Sequence, residues 1–212
     1  MNAPLVLDRP AKEPEDSVKR RQIVEGARVV FKALGFDAAS MGEIARAAGV
    51  SKGTLYVYFK DKDELFQAIV EKECVFQAEG VFEFDVANPD IAGTLTRMGI
   101  AFVQILCAPE RQSAARAVIA IADRKPDAGR TFYETGPAVG IAKLRAYLEA
   151  QVAAGRLMIA DCEIAAAQFI ESCHATLYKP VLFNFAPPPS PERIEHVVTI
   201  AVRTFMAAYE KK

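Results

Sequence analysis

Ser51, Lys52, Gly53, Thr54, Tyr56 and Tyr58 fall within eight residues of one another. Hydroxyls, an ammonium group and a glycine gathered at the start of a helix suit phosphate oxygens, because the helix start adds free amides and a positive dipole end. The elements needed to hold them can be read on either side. Ser40 and Glu43 stand three apart as a capping box that opens a short helix. Ile44, Ala45 and Ala48 follow at helical spacing, and Gly49 closes the helix where a left-handed residue is needed. Ser51 caps a second helix that sends Leu55 and Phe59 to the core and leaves Lys52, Gly53, Thr54, Tyr56 and Tyr58 facing outward. Two short helices joined by a tight, Gly-containing turn make a helix-turn-helix.

The run GVSKGTLYVYFKDKDEL over residues 49–65 resembles the signature of the tetracycline-repressor (TetR) family of bacterial regulators, and the match extends from about Val18 to Ala68. The resemblance implies a DNA-binding head of three helices. By position in the signature, Lys52, Gly53, Thr54 and Tyr56 would face the major groove, Ser51 would open the recognition helix, and Ser40, Tyr58 and Lys62 would meet phosphates. Two stretches of the remainder, RTFYETGP at 130–137 and QVAAGRL at 151–157, are similar to a drug-efflux-type branch of that family.

Charge distribution agrees with a nucleic-acid partner. Residues 17–60 hold eight Lys/Arg against three Asp/Glu, whereas residues 61–212 hold sixteen against twenty, so a basic head precedes an acidic body although the whole chain carries only −1. Lys19, Arg20 and Arg21 sit in the first turns of a helix where cations oppose the dipole, so phosphate contact or a solvated basic face explains them better than local stability. Cys74, Cys107, Cys162 and Cys173 are scattered and the only histidines are His174 and His196, which gives no metal-ligand spacing. Structural thiols are expected there, with redox sensing by Cys173 or Cys107 as the alternative. No apolar run reaches the roughly 20 residues of a membrane span, and the Pro-containing, acidic first 16 residues lack a signal-peptide core, so a cytoplasmic protein is expected.

The periodicity predicts an all-α chain. Residues 1–15 read as a disordered arm, 16–62 as the helix-turn-helix domain and 63–212 as a helical ligand-binding and dimerisation domain. The first helix buries Ile23, Ala27, Val30, Phe31 and Leu34 and ends at Gly35. Asp61 and Glu64 repeat the capping pattern before a fourth helix, whose apolar side includes Phe76. Body helices are expected from Ile91 to Cys107, Glu110 to Asp123, around Arg130–Tyr133, Ala138 to Ala154, Asp161 to Tyr178 and Pro191 to Tyr209. On the last of these the apolar arc sweeps about 200°, wider than the roughly 100° stripe that one core requires. The surplus, with the similarly apolar Asp161–Tyr178 helix, predicts the four-helix homodimer interface that the resemblance implies, with a thicker core inside one protomer as the alternative.

No Gly-rich phosphate loop, GxSxG or HExxH is present, and Asp161/Glu163 and Glu192/Glu195 read as helix caps and surface rather than acid–base pairs. With the resemblance, this implies a non-enzymatic, cofactor-free regulator: a DNA-binding repressor released from a palindromic operator by a small apolar effector, with effector-independent DNA binding or activation as the alternative. The candidate effector-site residues are Met98, Phe102, Ile105, Ile119, Asp123, Phe132, Tyr133, Phe169, His174 and Tyr178, each with a role in the core as its plain alternative. With no net basic cluster on those helices, a neutral or cationic apolar guest is expected.

Overall fold

The computed structural model describes residues 15–211 and divides into two compact units between Phe66 and Gln67. The arm expected over 1–15 lies outside the described residues apart from Glu15, and so does the side chain of Phe76. Among the described residues the elements are helices, with one isolated bridge between Leu157 and Glu210. No single helix among them is long and apolar enough to cross a membrane.

The first unit contains α1 (Glu15–Ala38), α2 (Met41–Ala47), α3 (Lys52–Tyr58) and the start of α4 (Lys62–Val81). Its core is Ile23, Ala27, Phe31, Ile44, Leu55, Phe59 and Leu65, joined by an aromatic triangle of Phe31, Phe36 and Phe66 with centroids 5.3–5.6 Å apart. Leu34 is exposed, not part of the expected stripe, because α1 kinks directly after it at Gly35, where φ is +76°. α1 packs on α2 through Gly26: a Cβ there would lie 2.6 Å from both the amide nitrogen and the Cβ of Ala48. The Gln22 amide donates to the Ala48 carbonyl at 2.6 Å and pins the same crossing.

The second unit takes the rest of α4 together with α5 (Ile91–Leu106), α6 (Pro109–Ile121), α7 (Pro126–Thr135), α8 (Pro137–Ala153), α9 (Cys162–Cys173), α10 (Tyr178–Leu182) and α11 (Pro191–Tyr209). α11 packs on α5 and α9, and α8 packs on α9. Leu95, Met98, Val103, Leu144, Leu148, Phe169, Val198 and Phe205 are buried between them. Side-chain oxygens of Asp90, Asp161 and Ser190 cap α5, α9 and α11, so the sequence starts these helices where it should. The C-terminus is zipped onto the α8–α9 connection by Met158 N–H donating to Tyr209 O (2.8 Å) and Lys211 N–H to Arg156 O (3.3 Å).

Two expectations change. The helix anticipated from Asp161 to Tyr178 stops at Cys173; a turn through Thr176, at φ +66°, separates it from α10. The wide apolar arc of α11 is mostly spent inside the protomer, since Ile194, Val197, Val198, Ala201, Val202 and Phe205 are all buried there. Exposed apolar positions are left at Ile200 and Ala208 on α11 and at Ile164 on α9.

Candidate functional site

α2 and α3 form as the capping residues dictate. The Ser40 Oγ accepts from Glu43 N–H (3.2 Å), the Glu43 carboxylate accepts from Ser40 N–H (3.0 Å), and the Ser40 hydroxyl donates to the same carboxylate (2.7 Å). That hydroxyl bond holds the Glu43 carboxyl below its usual range. Gly49, at φ +64°, ends the turn of α2 as a glycine at that position allows. Ser51 then starts α3: its Oγ accepts from Thr54 N–H (3.0 Å) and lies 2.8 Å from Thr54 Oγ1. With Leu55 and Phe59 buried below, α3 exposes Lys52, Gly53 and Tyr56, while Thr54 and Tyr58 are half-buried. The Arg20 guanidinium stacks over the Phe59 ring at 5.0 Å, which gives one of the three early cations a packing role.

Val57 was not among the expected residues, yet it is 80% exposed, more open than Tyr56 beside it. An aliphatic group on the outer face of a helix that carries Lys, Gly and Tyr is suited to a thymine methyl. The signal was present in the sequence, since Val57 falls off the Leu55–Phe59 face.

The phosphate roles expected for Ser40 and Lys62 are altered by geometry. Ser40 has its hydroxyl proton on Glu43 and its lone pair on the Glu43 amide. The Lys62 ammonium donates to the carbonyls of Phe36 (2.9 Å), Asp37 (3.0 Å) and Ala39 (3.3 Å), and stands 4.7 Å from the centre of the Phe36 ring. An ammonium has three hydrogens, and all three are directed at the segment that leads into the Ser40 cap. Lys62 therefore holds the α1–α2 connection from across the unit. The exposed Lys52 side chain lies back beside α2: a Cβ at Gly42 would be 3.1 Å from its Cε.

In the second unit a cavity of about 270 Å³ opens between α5, α6, α7, α8 and α9. Phe102, Ile105, Phe132, His174 and Tyr178 line it as expected, joined by Val81 and Phe82 at the end of α4, Arg111, Ile141, Ile170, Glu171 and Lys179. Gly140 admits the Phe82 ring, which would lie 2.9 Å from a Cβ at that position. Five other candidates do not line the cavity. Met98 and Phe169 are core, the latter edge-on to Phe205 at 5.2 Å. Ile119 and Tyr133 are 61% and 57% exposed, and Asp123 faces solvent. Helical spacing paired Ile119 with Asp123, and both face solvent, but it also grouped Met98 with Phe102 and Ile105, and the core takes Met98 alone. A shallower depression of about 430 Å³ around Asp90, Arg156, Glu210 and Lys211 is charged and open, unlike an apolar site.

Burial pushes the His174 imidazole down from its ordinary value and the Tyr178 phenol up, so both are uncharged at neutral pH. The same cause raises the Cys107 thiol and takes Cys173 up to about 12. Neither offers the thiolate that redox sensing requires.

Comparison with known proteins supplies the family. Residues 23–69 match the model of bacterial regulatory proteins of the tetR family, and residues 93–211 match the AefR-like transcriptional repressor C-terminal domain. The chain matches curated relatives over a quarter to a half of their length. AcrR of Shigella flexneri is 46% identical over 52 residues, covering 24% of each chain, and BepR of Brucella suis is 31% identical over 108 residues, covering 50% of this chain and 51% of BepR. Among solved structures, a TetR-family regulator from Mesorhizobium loti superposes with a TM-score of 0.87 at 27% identity, over 94% of this chain and all of that one. The flavonoid-responsive regulator FrrA superposes with 0.80 at 28%, over 92% and 99%. The first family model contains the helix-turn-helix and the second covers most of the cavity-bearing body, and the chain belongs to the TetR family of bacterial regulatory proteins.

Proposed function

We propose that the protein is a transcriptional repressor that binds a palindromic operator as a homodimer and leaves it when a small apolar molecule occupies the cavity of the second unit. The observation that carries this reading is the pairing, in one chain, of a Ser-capped recognition helix with exposed Lys52, Gly53, Tyr56 and Val57 and a separate, largely apolar cavity. Lys52, Gly53, Thr54, Tyr56 and Val57 read bases, and Ser51 and Tyr58 border the phosphates. The exposed faces of α9 and α11, around Ile164 and Ile200, pair with a second copy. Val81 ends the helix that begins at Lys62 and Phe82 follows it, so a guest touching Val81 bears on α4 directly. Only unequal affinity for two head arrangements can turn such contact into release. The small-molecule response of FrrA supports this part of the reading. Repression of efflux or stress genes fits the likeness of residues 130–137 and 151–157 to that branch. The test is a titration of the purified protein against DNA flanking its gene, with an inverted repeat intact or scrambled. Equal affinity for both removes the operator reading.

The Lys62 geometry separates two outcomes. Lys62→Ala is expected to destabilise the first unit by about 1.5 kcal/mol, the scale of a hydrogen-bonded charge, and to weaken operator binding by about tenfold at every salt concentration. The slope of log K against log salt stays unchanged, because the ammonium neutralises carbonyl dipoles and not a phosphate. Thermal melts and binding isotherms at several ionic strengths measure both. A slope flattened by about one unit would restore Lys62 to the phosphate backbone.

A further inference from the structure

We propose that the guest of the α5–α9 cavity is a neutral, planar aromatic molecule carrying a hydroxyl, a phenol in chemical class, whose ring lies on the aromatic wall and whose hydroxyl lies at the His174–Tyr178 end. This rests on reading the cavity as the effector site and names what that site selects.

The wall is a continuous run of rings. Phe82 meets Phe102 at 5.8 Å, Phe102 meets His174 at 6.1 Å, and His174 meets Tyr178 at 5.4 Å, all edge-on or tilted. Such a ladder presents ring faces and edges together, the geometry in which another ring gains about two- to tenfold in affinity per pair over an aliphatic chain of equal area. Phe132, from α7, adds a further ring to the lining and carries the Arg111 guanidinium 5.8 Å from its centre.

The polar end decides the functional group. His174 Nε2 lies 3.6 Å from the Glu171 carboxylate, while Arg111 and Lys179 line the same cavity with the opposite charge. At the His174 end a carboxylate guest would lie beside the Glu171 carboxylate, with the Arg111 guanidinium already held over the Phe132 ring, and an ammonium guest would lie beside Lys179, so neither ion meets a single sign of charge there. A hydroxyl donates once and accepts twice, so it is satisfied by this mixed set, and the half-buried His174 and Tyr178 can each serve as its partner without carrying charge. An ion placed there loses hydration and is opposed by the neighbour of like charge, whereas a neutral hydroxyl is not.

Calorimetry of the full chain with 2-naphthol, naphthalene, 2-naphthoate and 1-octanol tests the class. 2-Naphthol is expected to bind about tenfold more tightly than each of the other three. In Tyr178→Phe combined with His174→Gln, 2-naphthol falls to within about threefold of naphthalene, and retained naphthalene binding reports that the cavity is still formed. Absence of 2-naphthol binding, naphthoate or octanol binding as tightly as naphthol, or an unchanged naphthol preference in the variant overturns the proposal. Anisotropy of labelled flanking DNA, read in the same titrations, tests the effector reading separately. 2-Naphthol that binds without releasing DNA leaves the ligand class standing and removes the effector role, whereas release by octanol alone does the reverse.

Discussion

Gly26→Ala is expected to cost the first unit about 3 kcal/mol and abolish DNA binding, whereas Gly53→Ala leaves the same unit folded. The two substitutions add the same methyl group to short-range helical structure, so propensity alone would make both mildly stabilising. Surroundings reverse the sign at Gly26. A Cβ there would sit 2.6 Å from the Ala48 nitrogen and 2.7 Å from its Cα, and backbone atoms cannot rotate aside as a side chain can. α1 must retreat from the end of α2, which breaks the Gln22–Ala48 hydrogen bond and removes the floor under Ile44 and Leu55. At Gly53 the nearest atom to the new Cβ is Ser51 Oγ at 3.7 Å, an ordinary contact. The methyl group then points to solvent and changes only what α3 can approach. Thermal melts and operator titrations of both variants read this out. A Gly26→Ala protein that melts like wild type would show that the α1–α2 crossing adapts.

Val198→Glu and the pair Ile164→Glu/Ile200→Glu are expected to fail in different ways. Val198 is fully buried, and one of its methyls would lie 2.8 Å from a Cβ at Gly99, so it belongs to the α5–α11 contact inside one protomer. A carboxylate there has no partner and no water, and a loss of about 4 kcal/mol or more of body stability follows. Ile164 and Ile200 are 52% and 41% exposed, so charges there are tolerated by the protomer and opposed only by a second copy. Sedimentation should give unfolded or aggregated material for Val198→Glu and folded monomers for the Ile164/Ile200 pair. Folded dimers from that pair would move the interface away from α9 and α11. The arc on the last helix is wide because α11 meets both α5 and α9 within the protomer.

These corrections show where sequence suffices. The caps at Ser40, Ser51, Asp161 and Ser190 were legible because a cap and the amide it satisfies lie within three residues. At Asp61 the Glu64 amide does donate to the carboxylate, but the returning bond reaches Lys60 N–H, one residue earlier than the pattern implies. The backbone contacts of Lys62 were not legible because its acceptors are carbonyls 23 to 26 residues away, and a carbonyl leaves no mark in a sequence. Helical spacing correctly placed Phe102 and Ile105 together, yet it could not say which face of α6 meets the cavity, and Ile119 points the other way. The end of α9 was missed since Thr176, neither Gly nor Asn, adopts the left-handed region there.

That same turn gathers Glu171, His174, Tyr178 and Lys179 into nine consecutive residues, interrupted by the buried Cys173 and Leu177. Chemical selectivity and structural support are thereby interleaved but separable along one short stretch of gene. A single synthetic cassette that keeps Cys173 and Leu177 and randomises the other four would reprogram what the cavity recognises, while the ring-lined interior, encoded elsewhere, stays constant. If the cavity is the effector site proposed above, four codons carry its polar end.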